Sequence, residues 1–85
     1  MSQRFNIYLV EDDHWYGQIL KHHLEMNPDY VIELYKSGKE LLNQMYKKPD
    51  LICMDFGLPD ITGDKLLKEI KARNKQVPVI VISGQ

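Results

Sequence analysis

Asp50-Leu51-Ile52-Cys53-Met54-Asp55-Phe56-Gly57-Leu58-Pro59-Asp60-Ile61-Thr62-Gly63 decides how this chain folds. Leu51 to Met54 are apolar at every position, the pattern of a strand buried on both faces in a parallel sheet. The run stops at Asp55. Phe56 to Ile61, with Gly57 and Pro59, reads as a loop. A helix is predicted from about Thr62 to Asn74, buried through Leu66, Leu67 and Ile70. The basic run Lys65 to Lys75, broken by Glu69, reads as that helix's solvated face.

Working outward, the same alternation repeats. Phe5 to Val10 reads as a first strand, stopping abruptly at Glu11-Asp12-Asp13. Residues 14 to 26 carry Tyr16, Ile19, Leu20 and Leu24 at helical spacing, with His23 on the same stripe. Asn27-Pro28-Asp29 breaks that helix, and Tyr30 to Tyr35 is a second strand rich in β-formers. Ser37-Gly38-Lys39-Glu40 is a capping box opening a second helix, whose buried face is Leu41, Leu42, Met45 and Tyr46. Pro49-Asp50 ends it. Val77 to Ile82 is a fourth strand, with Pro78 tolerated near its start. The order β-α-β-α-β-α-β predicts an α/β fold, a parallel sheet with helices on both faces. Ligands of such sheets bind beyond the carboxyl ends of the strands.

The bulk properties narrow the function. The 85 residues make one small domain, 44% hydrophobic and 27% charged, with a formal net charge of −1. That balance excludes wholesale attraction to DNA or an acidic membrane surface. The lone Cys53, in an apolar run, reads as a buried reduced thiol. No stretch is apolar and long enough to span a membrane, and the N-terminus lacks a signal segment, so the expectation is a cytoplasmic protein.

Chemistry is expected where strands end. Glu11 and Asp12 follow the first strand and Asp55 the third. If those strands are neighbours, three carboxylates converge, and two charges at 4 Å repel by about 4 kcal/mol at an effective dielectric near 20. A divalent cation removes that cost. Oxygen-only donors favour a hard ion, and Mg2+ suits one or two direct carboxylates plus water. Acidic residues after strands are also common as plain helix N-termini, and Asp13 is read as such a cap.

The whole set resembles the receiver domains of response regulators. Ile7-Tyr8-Leu9-Val10-Glu11-Asp12-Asp13 is similar to their first-strand motif. Asp50 to Gly63 is similar to their phosphorylation segment, with a proline four residues past Asp55 and a glycine eight past it. Val77-Pro78-Val79-Ile80-Val81-Ile82-Ser83-Gly84 is similar to their fourth strand and switch hydroxyl. The resemblance covers the entire chain, and it implies a flavodoxin-like, chemotaxis-receiver-like sheet of order 2-1-3-4-5.

It further implies that Asp55 is the nucleophile that becomes aspartyl phosphate. Asp12 would be a direct Mg2+ ligand, Glu11 an outer ligand through water, and the Gly57 carbonyl a further ligand. The Ser83 hydroxyl would bond a phosphoryl oxygen, and Gly84 would leave room for the group. Pro59 and Gly63 would shape the loop. The implied donor is a phosphohistidine on a sensor histidine kinase or phosphotransfer protein. The implied chain is a signalling receiver, not an enzyme beyond its own phosphotransfer and dephosphorylation.

The family pattern continues past Gln85 through another helix, a fifth strand and a fifth helix. That strand ends in a lysine that pairs with the acceptor. Lys65, Lys68, Lys71 and Lys75 cannot stand for it, because they lie on or beside the third helix. Residues 1–85 are therefore read as a receiver domain short of its last strand and helices. Two competing functions follow. An aspartate-nucleophile phosphatase needs a second acid two residues past the nucleophile, where Gly57 stands. A protein-interaction module that self-associates through the exposed fourth-strand edge stays open. His14, His22 and His23 read as surface residues, and Trp15 as a surface aromatic near the acidic pocket. Nothing in the chain reads DNA bases.

Overall fold

A computed structural model describes residues 4–82. Its elements are β1 (Phe5–Val10), α1 (His14–Glu25), β2 (Tyr30–Tyr35), α2 (Gly38–Asn43), a 3-10 turn (Met45–Lys47), β3 (Leu51–Asp55), α3 (Gly63–Arg73) and β4 (Val79–Ile82). The four strands form one parallel sheet in the order β2-β1-β3-β4. The chain therefore places its first strand in the interior and reverses direction of growth between β1 and β3.

The apolar runs are explained by the two cores they feed. Tyr8, Val10, Ile52 and Met54 pack with Leu41, Met45, Leu66 and Ile70 beneath α2 and α3. Ile7, Leu9, Ile32 and Cys53 point the other way, against Leu20 and Leu24 of α1. Successive strand residues alternate between faces, and both faces are covered, so no polar residue interrupts the runs.

Four sequence expectations need correction. The second helix is short: it stops at Asn43, tightens into the 3-10 turn, and ends at Lys48 with φ 56°. The residue before a proline is disfavoured in a helix, and Pro49 follows Lys48. Tyr46, expected inside, is 74% exposed as a result, while Met45 is buried. The Gln44 carbonyl, which takes the Lys47 N–H at 3.2 Å inside the turn, also accepts the buried Tyr8 hydroxyl at 2.8 Å. On α1, Ile19 is exposed, because the cover of the sheet rests on Leu20 and Leu24. The fourth strand starts at Val79 rather than Val77. Pro78 has no N–H for the ladder, though its carbonyl still accepts the Ile52 N–H at 3.0 Å. The capping box is half as drawn. Ser37 Oγ accepts the Glu40 N–H at 3.2 Å, but Glu40 Oε1 reaches back one residue further, to the Lys36 N–H.

Candidate functional site

The site is built at the carboxyl ends of β1 and β3, where parallel pairing sets Val10 beside Met54. The next residue on each strand is an acid. The Glu11 N–H still bonds the Tyr35 carbonyl at 3.0 Å, so Glu11 continues the β1–β2 ladder by one step. Its side chain is then trapped inside, 3% exposed. Its Oε2 accepts the Asp13 N–H at 3.1 Å, while Oε1 is buried with no hydrogen-bond partner among the described residues. A buried polar atom left unmatched is costly, so it marks a place where something else completes the shell.

Asp12 is exposed and Asp55 half-buried. Ligand oxygens of Glu11, Asp12 and Asp55 all lie within 4.8 Å of one another. The expected convergence of the three carboxylates is therefore present. Burial pushes the Glu11 carboxyl up, the Asp13 N–H bond works against this, and the Asp55 and Asp12 charges add to the rise. Asp13 stands apart as the cap of α1, its Oδ1 accepting the Tyr16 N–H at 3.1 Å.

Neighbouring residues hold this cleft in shape. Gly17 lets α1 lie close over the strand ends; a Cβ there would meet both Leu34 methyls at 3.2 Å and the Glu11 Cβ at 3.6 Å. Asp55 Oδ1 accepts the Gly57 N–H at 3.4 Å, which turns the chain away from the strand. Gly57 itself faces open space. The Phe56 ring packs where a side chain on Gly63 would sit, so Gly63 allows α3 to start directly under the loop.

Ser83 and Gly84 lie outside the described residues. Lys71 of α3 does not serve the cleft: it spends its ammonium on the Val77 and Lys75 carbonyls at the far end of the helix. His22 and His23 are exposed, and Trp15, 77% exposed, sits on the first turn of α1, in the helix that follows Asp12 and Asp13. Burial raises the Cys53 thiol pKa, consistent with an inert core thiol. No helix of the described residues is long and apolar enough to cross a membrane. One participant escaped sequence reasoning. Asp60 accepts the Gly38 and Lys39 N–H groups and so ties the loop after Asp55 to α2. Contacts between segments so far apart have no local signature.

Residues 7–85 match the family profile described as the response regulator receiver domain. The chain belongs to this receiver family. It is 40% identical over 81 residues to the transcriptional regulatory protein CssR of Bacillus subtilis, covering 95% of this chain and 36% of that protein. It superposes on the non-phosphorylated HemR receiver domain of Leptospira biflexa with a TM-score of 0.87 and 34% identity, covering 96% of this chain and 66% of that one. The response regulator TrrA of Thermotoga maritima, solved in complex with Mg2+ and BeF, gives a TM-score of 0.87 at 26% identity, covering 95% and 70%. The receiver described here thus spans about a third of the length of CssR and about two thirds of HemR's receiver domain. The sheet order β2-β1-β3-β4 agrees with the flavodoxin-like order expected from the resemblance.

Proposed function

We propose that residues 1–85 form the first part of a receiver domain that binds Mg2+ and takes a phosphoryl group on Asp55. The observation that carries this reading is the convergence of one oxygen each from Glu11, Asp12 and Asp55 within 4.8 Å, with the Glu11 side chain buried and its Oε1 unmatched. Direct ligands would be Asp12, Asp55 and the Gly57 carbonyl, with Glu11 acting through a bound water. When bound, the ion offsets charge on the transferring phosphoryl oxygens. A carboxylate is a weak nucleophile, so the protein's part is to hold Asp55 in line with the donor. One Asp55 oxygen bonds phosphorus as the phosphorus–nitrogen bond of a phosphohistidine breaks, and the departing imidazole keeps the electron pair. Ser83 would bond a phosphoryl oxygen and Gly84 would leave it room. The donor would be a sensor histidine kinase or phosphotransfer protein. TrrA's complex with Mg2+ and BeF supports the same chemistry here.

Trp15 provides the test. Its fluorescence, and the amide shifts of Glu11 and Asp12, should respond to millimolar Mg2+. The response should be lost in Asp12→Ala. An equal response in that variant would remove Asp12 from the site.

A second reading, self-association, is favoured by one feature. Among the described residues β4 pairs only with β3, and Ile80 and Val81 are 48% and 47% exposed on opposite faces. Unpaired apolar edges recruit other strands. A polypeptide of these 85 residues should therefore associate at micromolar concentration, and Ile80→Lys should shift it toward monomer in sedimentation. A monodisperse monomer with slow amide exchange in residues 79–82 would count against this edge.

A further inference from the structure

The loop behind Asp55 has weak internal support. Among the described residues, none of 57–61 makes a backbone–backbone hydrogen bond to another segment. On its outer side the loop borders an open depression of about 430 Å3, lined by Leu58, Pro59, Asp60 and Ile61 among others. Its attachments are side chains. Leu58 is buried in the core that holds Leu41, and Ile61 packs against Gly38, where any Cβ would overlap it.

The polar attachment is Asp60. Its Oδ1 accepts the Gly38 N–H at 3.1 Å and its Oδ2 the Lys39 N–H at 2.9 Å. These are the first two N–H groups of α2. The third, on Glu40, goes to Ser37 Oγ at 3.2 Å, and the Leu41 N–H goes to the Ser37 carbonyl at 3.3 Å. The first turn of α2 is thus fully satisfied, half of it by a residue from another segment. A helix of six residues has little stability of its own and depends on such contacts. Partial burial works against the Asp60 charge, but the Lys39 and Gly38 N–H bonds and the Lys39 charge outweigh it and hold the carboxyl below the usual aspartate range.

We propose that Asp60 is a positioning residue that locks the β3–α3 loop to α2, so that the two move as one body and a change in the Asp55 cleft is felt in α2. The second half of this statement rests on the proposed Mg2+ site, because Asp55 and Gly57 open the same loop. The first half does not.

A double-mutant cycle read by amide exchange in Mg2+-free protein tests the lock. Ser37→Ala removes a cap from α2 without touching the loop. In the wild-type background it should speed exchange several-fold, about fivefold on the size of a lost cap, at Glu40 and Leu41, and it should also shift the amide resonances of Gly57 and Leu58. In Asp60→Ala the effect of Ser37→Ala on Gly57 and Leu58 should vanish. Asp60→Asn, which keeps an accepting oxygen, should fall between, and it stands in if the alanine variant loses protection in β1. No effect of Ser37→Ala on the loop in either background overturns the lock. For the coupling, Mg2+ titration should move the Gly38 and Lys39 amides together with those of Glu11 and Asp12, and only the latter pair in the Asp60 variant. Shifts at Glu11 and Asp12 with none at Gly38 and Lys39 in wild type overturn the coupling and leave the Mg2+ site standing. Shifts at neither pair overturn the site and the coupling together, while the exchange cycle still decides the lock.

Discussion

Asp55→Asn should abolish uptake of acid-labile phosphate from a phosphohistidine donor, measured in the full-length protein. The substitution is nearly isosteric. The amide oxygen of the introduced asparagine can still accept the Gly57 N–H that Asp55 Oδ1 takes at 3.4 Å, so the loop should keep its course. What is lost is the nucleophile, since a neutral amide oxygen does not form a stable bond to phosphorus. Removing one negative charge from three carboxylates within 4.8 Å should leave the fold intact or slightly more stable. Circular dichroism and melting temperature should therefore stay at or above wild type while phosphate uptake falls to background. Uptake that persists at the wild-type rate would move the acceptor to another acid of this end of the sheet. Asp12, Asp13 and Asp60 would then be replaced in turn.

Much of this architecture is legible in the residues because parallel sheets write themselves in plain patterns. Leu51 to Met54 has no polar interruption, and the two cores explain why: Ile52 and Met54 feed one, Cys53 the other. The same holds for β1 from Ile7 to Val10, where Tyr8 and Val10 feed one core and Ile7 and Leu9 the other. The three acids were legible because each follows a buried strand closely, and adjacency of β1 and β3 then brings them together without further information.

What was not legible depends on partners distant in sequence. Helical spacing placed Tyr46 inside, but the chain leaves the helix at Asn43 to accommodate Pro49, and the phase of the pattern is lost. Ile19 sits at a buried position by periodicity yet is 45% exposed, since the facing surface among the described residues is filled by Leu20 and Leu24. Val77 packs in the core from outside the strand, so apolar character alone extended β4 too far. Asp60 carries no local signal beyond its place in the loop. Its role exists only because the topology sets the start of α2 beside the turn after β3.

Glu11→Gln should reverse the usual relation between a conservative change and stability. In wild type without Mg2+, Glu11 is 3% exposed, with one oxygen on the Asp13 N–H and the other unmatched. Two carboxylates stand within 4.8 Å of it, an arrangement worth about 3–4 kcal/mol of repulsion per fully charged pair at an effective dielectric near 20, before solvent screening. A glutamine keeps the oxygen that accepts from Asp13 and turns its NH2 toward Asp12 and Asp55 as a donor. The Mg2+-free variant should therefore be more stable than wild type by about 1–2 kcal/mol, or roughly 5–15 °C in Tm for a domain of this size. The sign with pH follows from burial, which raises the Glu11 carboxyl. The folded state holds that proton more tightly than the unfolded chain, so wild-type stability falls as pH rises through the folded-state pKa. The gap between variant and wild type should open above the ordinary carboxylate range and close below it. Mg2+ should then close it from the other side. At ten times its dissociation constant the ion stabilises wild type by about 1.4 kcal/mol, whereas the variant, lacking the charge that orders the water shell, should gain little. Paired thermal melts with and without about 10 mM Mg2+, at about pH 4 and about pH 8, read all four corners. A variant that is less stable than wild type without Mg2+, and gains as much from it, would mean that Glu11 is held for the fold and not for the ion.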